Sequence, residues 1–353
     1  MTRTRKVLFV TAAALLSALV VLAMLRTAGK PAGRARVLEP QAVMGTSCRL
    51  VAVPGDGAGE TAADRALEAA ERRIRNVEAR MSSWIEHSEI GRLNRAPAGR
   101  VVELSTPTRQ VLRRARAACQ ATSGAFDATL GPAIELWRAA GKRGRLPTAA
   151  RVRAARAAST WELLELTEKG AVKAARSVRV DLGGVAKGYA IDEALDELEA
   201  AGLAGGLVDI GGDLAVFGQP PEGTTWRVDV RDPFGEGVLG HLRIHSGAVC
   251  TSGNYARFTT IDDARFSHIL DPRTGRPVTD AVPSVTVLAP HAVDADIWST
   301  ALSVLGSERL ASLPEGVQAL MVLGTREAPR LVCTRGMAKL LGEDLRTRAD
   351  TFD

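Results

Sequence analysis

Aromatic residues are scarce in this chain: Phe, Trp and Tyr make up 4% of 353 residues, so few positions offer a flat ring to a ligand. The formal net charge is +6, yet arginine is scattered along the whole length and no Lys/Arg stripe with interleaved aromatics occurs. That removes the footprint of a nucleic-acid binder. The four cysteines, Cys48, Cys119, Cys250 and Cys333, lie far apart, with no CxxC pair and no Cys/His cluster. That argues against a zinc site; export would permit disulfides, and most of the cysteines read as small buried apolar residues. No internal repeat is present, so a solenoid is excluded as well.

What the chain does have is ordinary globular composition, 46% hydrophobic and 24% charged, with enough length for a substantial core. Its N-terminus stands apart. Arg3, Arg5 and Lys6 precede nineteen uncharged residues, Val7–Leu25, after which Arg26 and Lys30 resume. That run is long enough to cross a bilayer and longer than the usual core of a signal peptide. It lacks an Ala-x-Ala-like cleavage site and a following lipoprotein cysteine, and so reads as an uncleaved anchor in preference to a cleaved signal. Residues 1–36 are thus expected to form an inner-membrane or signal segment with a linker, and residues 37–353 one domain outside the cytoplasm.

Periodicity sets the expected elements. Ala42–Val53 reads as a strand ended by the Pro-Gly-Asp-Gly turn at 54–57. Ala63, Leu67, Ala70, Ile74, Val77 and Met81 alternate four- and three-residue steps and make one helical stripe. Ser105 or Thr106 with Pro107 opens a second helix that Gly124 stops. Residues 139–158, rich in Arg and Ala, suggest a surface helix or a variable insertion, and Lys187–Ala201 a further helix ended by Gly202. Strands are expected at 206–210, 213–217, 226–230, 240–245 and 284–289, a helix at 296–305, and a closing hairpin of 317–323 with 330–334. The order predicts an α+β fold: one compact domain of mixed or antiparallel sheet with packed helices.

Four segments concentrate glycine and small polar residues beside apolar runs. Asp181-Leu-Gly-Gly-Val-Ala-Lys-Gly188 opens a helix, where backbone N–H groups, the positive end of the dipole and Lys187 suit a pyrophosphate. It is neither GxGxxG nor a P-loop, and a plain strand-to-helix turn accounts for the same residues. Val208-Asp-Ile-Gly-Gly-Asp213 ends a strand in two glycines, as a close-packed ligand or a tight corner would require. Thr251–Tyr255 and Phe266–Pro277 bring His268, Asp271, Arg273 and Arg276 into a loop fixed by Pro and Gly. His268 is the side chain whose unperturbed pKa suits proton transfer near neutrality; a structural histidine is the alternative. In Asp294–Thr300 the Asp296 and Thr300 oxygens share a helical face, as oxygen-only magnesium ligation would need. A carboxylate that merely serves the helix dipole explains Asp296 equally.

Taken in this order the segments resemble the FAD:protein FMN transferases, the ApbE family. The resemblance starts at Met44-Gly-Thr46 and runs through Met81-Ser-Ser-Trp84, Ser88–Asn94, Ser123–Thr129, Gly131-Pro132 and Leu136-Trp137. It continues through the four segments above to Thr300, covering nearly all of 42–306. It implies that Met44 and Trp84 sandwich the isoalloxazine ring, with Trp84 where the family commonly has Tyr. It implies that Ala125, Phe126 and Asp127 line the flavin side, and that Asp181, Lys187 and the segment around Leu270 hold the adenosine and phosphates. Gly184 through its carbonyl, Asp296 and Thr300 would bind Mg2+, and His268 would serve as general base. Ser299 stands where some members carry a second carboxylate. The implied reaction attaches the FMN half of FAD to a Thr or Ser hydroxyl of an exported or membrane acceptor protein, releasing AMP. A magnesium-dependent FAD pyrophosphatase and a non-catalytic FAD-storage protein are the alternatives.

Overall fold

The computed structural model describes residues 34–55, 59–253, 258–262, 264–278 and 282–352. The expected anchor, Val7–Leu25, lies outside them, and none of the described helices is long and apolar enough to cross a membrane. In chain order the strands are β1 (Arg36–Leu38), β2 (Cys48–Val53), β3 (Val101–Glu103), β4 (Leu164–Leu166), β5 (Gly170–Lys173), β6 (Gly205–Ile210), β7 (Asp213–Gly218), β8 (Trp226–Arg231) and β9 (Val238–Ile244). They continue with β10 (Gly247–Gly253), β11 (Phe258–Ile261), β12 (Ala264–Ser267), β13 (Leu270–Asp271), β14 (Arg276–Pro277), β15 (Ser284–Ala289), β16 (Gln318–Gly324), β17 (Pro329–Thr334) and β18 (Ala349–Phe352). The helices are α1 (Glu60–Met81), α2 (Glu89–Arg95), α3 (Thr106–Ala121), α4 (Gly131–Arg143), α5 (Ala149–Ala158), α6 (Ala186–Ala200), α7 (Ala292–Leu305), α8 (Arg335–Ala338) and α9 (Glu343–Arg346).

Nine strands form one sheet in the order β1-β2-β6-β7-β10-β15-β16-β17-β18. Neighbours run antiparallel except β17 and β18, which are parallel, so the sheet is mixed, as expected. Strand alternation assigns its two faces. Leu50, Ala52, Cys250, Val285 and Val287 point to the side covered by α1, α6 and α7, where the largest cluster of buried side chains lies. Val51, Val53, Leu214, Val216 and Val249 point the other way, beneath the β8–β9 hairpin and α8 and α9. A third, smaller cluster joins α4 and α5 to Ile261 and Leu270. All four cysteines are free thiols, and Cys48, Cys250 and Cys333 are buried.

Helix α7 is buried nearly all round, ten of its fourteen residues being inaccessible, because it lies between the sheet and α6. It starts one turn before the 296–305 segment that sequence suggests. The two helices touch backbone to backbone: a Cβ at Gly188 would stand 2.3 Å from the carbonyl oxygen of Ala292. Two other expectations are corrected. The strand expected from Ala42 begins at Cys48, since Ala42, Met44 and Gly45 take φ of 52°, 49° and 72°, which no strand allows. The surface helix expected over 139–158 is the end of α4 and all of α5. Gly144 in the left-handed conformation (φ 62°) ends the first, and the Thr148 hydroxyl, accepting from the Arg151 N–H, starts the second.

Candidate active site

A cleft of about 930 Å3 opens where the β6–β7 turn, the end of β10, the turn before α6 and the first half of α7 meet. Its floor is built from α6 and α7. The Asp181 carboxylate accepts from the Gly183 N–H at 2.8 Å and from the Ser83 hydroxyl at 3.3 Å, which fixes the turn before α6. Gly184 follows, and a Cβ there would stand 3.1 Å from Thr300 Oγ1 and 3.2 Å from the Phe126 ring. A side chain would thus crowd both neighbours. Lys187 forms an ion pair with Asp213, which is 5% exposed and also accepts from the Thr251 N–H at 2.9 Å.

Asp296 projects from α7 into this floor with 4% of its surface exposed and accepts from the Gly188 N–H at 3.0 Å. Burial pushes its carboxyl pKa up; the Lys187 cation and the Gly188 N–H oppose that rise. A buried carboxylate, with the Thr300 hydroxyl one helical turn away and the bare Gly184 backbone opposite, is a donor set of hard oxygens that suits magnesium. Ser299, one residue before Thr300, is turned elsewhere: its hydroxyl lies 2.9 Å from that of Ser252 on β10. Among the described residues no group of three or more His, Cys, Asp or Glu side chains gathers, so the candidate metal position rests on one carboxylate.

The walls hold the remaining residues. After α3 the chain turns through Ser123 and Gly124, both at positive φ, and the Thr122 hydroxyl accepts from the Phe126 N–H at 3.0 Å. Ala125, Phe126 and Asp127 are thereby set along one side. Burial raises the Asp127 pKa, against the N–H and hydroxyl of Thr129, which donate to it at 2.7 and 2.8 Å. Trp84 stands at the rim, 70% exposed, with the Arg138 guanidinium 4.0 Å from its ring centroid. Opposite, His268 sits exposed on the bend between β12 and β13, where the Ser267 hydroxyl accepts from the Ile269 N–H at 2.9 Å. Leu270, paired with Pro277, lies beneath, and Trp137 ties α4 to this loop by donating to the Gly275 carbonyl at 2.8 Å.

The cleft therefore gathers His268, Trp84, Ala125, Phe126, Asp127, Asp181, Gly184, Lys187, Leu270, Asp296 and Thr300. Met44 is not among its walls: it is half-buried against the main core, and the tight turn it belongs to presents Thr46 instead. Asp271, Arg273 and Arg276 do not line it, and Asp271 is occupied by Arg273 at 2.9 and 3.0 Å. Arg138 and Arg231 line the cleft without having been singled out in the sequence, and Asp213 and Ser252 do so from the Val208–Asp213 and Thr251–Tyr255 segments, where neither was assigned a role of its own. Arg138 and Arg231 sit in ordinary helix and strand patterns.

The ApbE family model matches residues 44–333. A FAD:protein FMN transferase of Vibrio cholerae serotype O1 is 33% identical over 322 residues, covering 88% of this chain and 93% of the relative. One of Treponema pallidum is 31% identical over 326 residues, covering 86% and 90%. Among solved structures, the flavin transferase ApbE from Vibrio cholerae superposes with a TM-score of 0.76 at 28% identity, over 87% of this chain and all of that one. The ApbE protein of Thermotoga maritima does so with a TM-score of 0.77 at 31% identity, over 88% and 100%. The chain belongs to the ApbE family, and the relatives of Vibrio cholerae and Treponema pallidum are FAD:protein FMN transferases by name.

Proposed function

We propose that this cleft binds FAD and transfers its FMN half to a Thr or Ser hydroxyl of a second protein. The observation that carries the reading is the floor. Buried Asp296 and the half-buried Thr300 share one face of α7 and meet Gly184 and Lys187, beneath walls bearing Trp84 and His268. Asp296, Thr300 and the Gly184 carbonyl would hold magnesium, which when bound neutralises charge on the pyrophosphate. Lys187, aimed by Asp213, binds the phosphates. Trp84, Ala125 and Phe126 offer apolar surface to the flavin ring and keep water from it. His268 accepts the proton of the acceptor hydroxyl as its oxygen forms a bond to the FMN phosphorus; the bond from that phosphorus to AMP breaks, and AMP leaves with the electron pair. The basic start and the uncharged run Val7–Leu25 support a domain outside the cytoplasm, tethered to the inner membrane, where its acceptor would also lie.

Incubation with FAD, magnesium and co-expressed exported proteins tests the reading. AMP by chromatography together with an FMN-sized mass increase on a protein is expected. AMP without an adduct would make the enzyme an FAD pyrophosphatase, and bound FAD with no AMP would make it a storage protein.

A further inference from the structure

The run of chain that leads into Asp181, 178–181, buries its valines but has almost no sheet around it. Val178, Val180 and Leu182 are 0%, 1% and 2% exposed, and a single parallel bridge joins Arg179 to Leu130. Buried backbone groups need partners. Here a side chain supplies them. Asn94, from the last turn of α2, donates through Nδ2 to the Val180 carbonyl at 2.8 Å and accepts through Oδ1 from the Val180 N–H at 2.7 Å. Its amide thus pairs with both backbone groups of one residue, as a neighbouring strand would. Asn94 is itself held: the ammonium of Lys173, 0% exposed, donates to the Asn94 carbonyl at 2.8 Å and to the Val178 carbonyl at 3.2 Å. Burial, with Arg179 and Arg176 nearby, pushes that ammonium's pKa down to about 8. On the cleft side, the Asp181 N–H donates to the Ala128 carbonyl at 2.8 Å, so the same run aligns the Ala125–Asp127 wall with the turn before α6.

From this chain of contacts we infer that Asn94, braced by Lys173, is a positioning residue: it sets Asp181, and through it FAD affinity, without touching the ligand. The inference rests on Asp181 being a contact of FAD. Titration of the full-length protein with FAD, followed by flavin fluorescence, tests it in a double-mutant cycle of Asn94→Ala and Asp181→Ala. Asp181→Ala alone should weaken binding. Asn94→Ala should weaken it about tenfold, yet by no more than about twofold in the Asp181→Ala background, because both act through one group. Its effect should fall on KM for FAD and leave kcat nearly unchanged. Asn94→Asp keeps the acceptor for the Val180 N–H and loses the donor; it should fall between Asn94→Ala and the unaltered protein, and it carries the cycle if Asn94→Ala does not fold. Losses that simply add, or affinity within about twofold of normal for the Asn94 variant, would overturn the inference. Unchanged affinity in Asp181→Ala alone would remove Asp181 from the FAD site and the inference with it, while leaving the transfer reaction standing.

Discussion

Asp294 and Asp296 lie two positions apart on α7 in opposite circumstances. Asp294, about a third exposed, is paired with Arg114 of α3, whereas Asp296 is buried at the cleft floor and held by the Gly188 N–H. Asp296→Ala should therefore abolish AMP release at ordinary magnesium, as EDTA should in the unaltered enzyme. Asp294→Ala should stay within about twofold, since a surface ion pair contributes little; the reverse ranking in an AMP assay would sink the metal assignment. His268→Ala should lose about two to four orders of magnitude in transfer while still binding FAD. Lys187→Ala should instead show in the FAD titration, because a cation at the phosphates acts on ground and transition states alike. Near-normal transfer by the first, or unchanged affinity in the second, would return that residue to a structural role. The residues legible from sequence were those whose chemistry is rare or whose spacing is diagnostic, such as a histidine in a Pro/Gly loop or a carboxylate and hydroxyl four apart. Asn94 and Asp213 fell within named segments, but their roles were not legible, because these depend on Val180 and Lys187, partners 86 and 26 positions away.

At the level of elements, helices with a clean apolar stripe were legible to within a few residues: α1 carries Ala63, Leu67, Ala70, Ile74, Val77 and Met81 inward, as their spacing requires. The strand expected at 284–289 holds as well, β15 spanning Ser284–Ala289 between Pro283 and Pro290. The short strands β3 to β5 and the paired strands β11 to β14 escaped, since two to four residues are too few to show a period, and only the end of α4 fell within an expected helix. The start of α7 escaped for another reason. A helix buried on almost every side has no polar face to mark its phase, and its true first turn, at Ala292, is capped by Asp192 of α6, which accepts from the Ala292 and Val293 N–H groups at 2.7 and 3.0 Å. The contact between α6 and α7 is correspondingly unforgiving. Gly188→Ala would drive a methyl into the Ala292 carbonyl and push the helices apart, at a cost of about 1–3 kcal/mol. Thermal unfolding should register that loss, and transfer should fall further than stability does, because Lys187 and Asp296 ride on opposite helices. A variant that melts lower yet transfers normally would show that the floor tolerates the shift.

Across the whole molecule, the cleft opens between two of the three clusters of buried side chains: the largest lends it Phe126 and Ala128, and the smallest Leu130, Trp137 and Leu270. Sequence pattern conveyed the α+β class, the order of the strands and the closing hairpin of β16 with β17, but not the pairings that join residues remote in the chain: β2 pairs with β6, and β10 with both β7 and β15. Fractionation of cells would test the proposed tether. The full-length chain is expected in the inner-membrane fraction, and a soluble periplasmic form with a new N-terminus near residue 30 would replace the anchor with a cleaved signal. The uneven placement of the five tryptophans has an optical consequence. Trp84 is 70% exposed, whereas Trp137, Trp161, Trp226 and Trp298 lie between 6% and 9%. A small collisional quencher such as acrylamide should therefore reach one emitter far more readily than the rest. If the flavin ring settles on Trp84, FAD should shield that emitter from acrylamide, and Trp84→Phe should erase most of the accessible signal beforehand. An accessible tryptophan signal that FAD leaves untouched would place the ring elsewhere in the cleft.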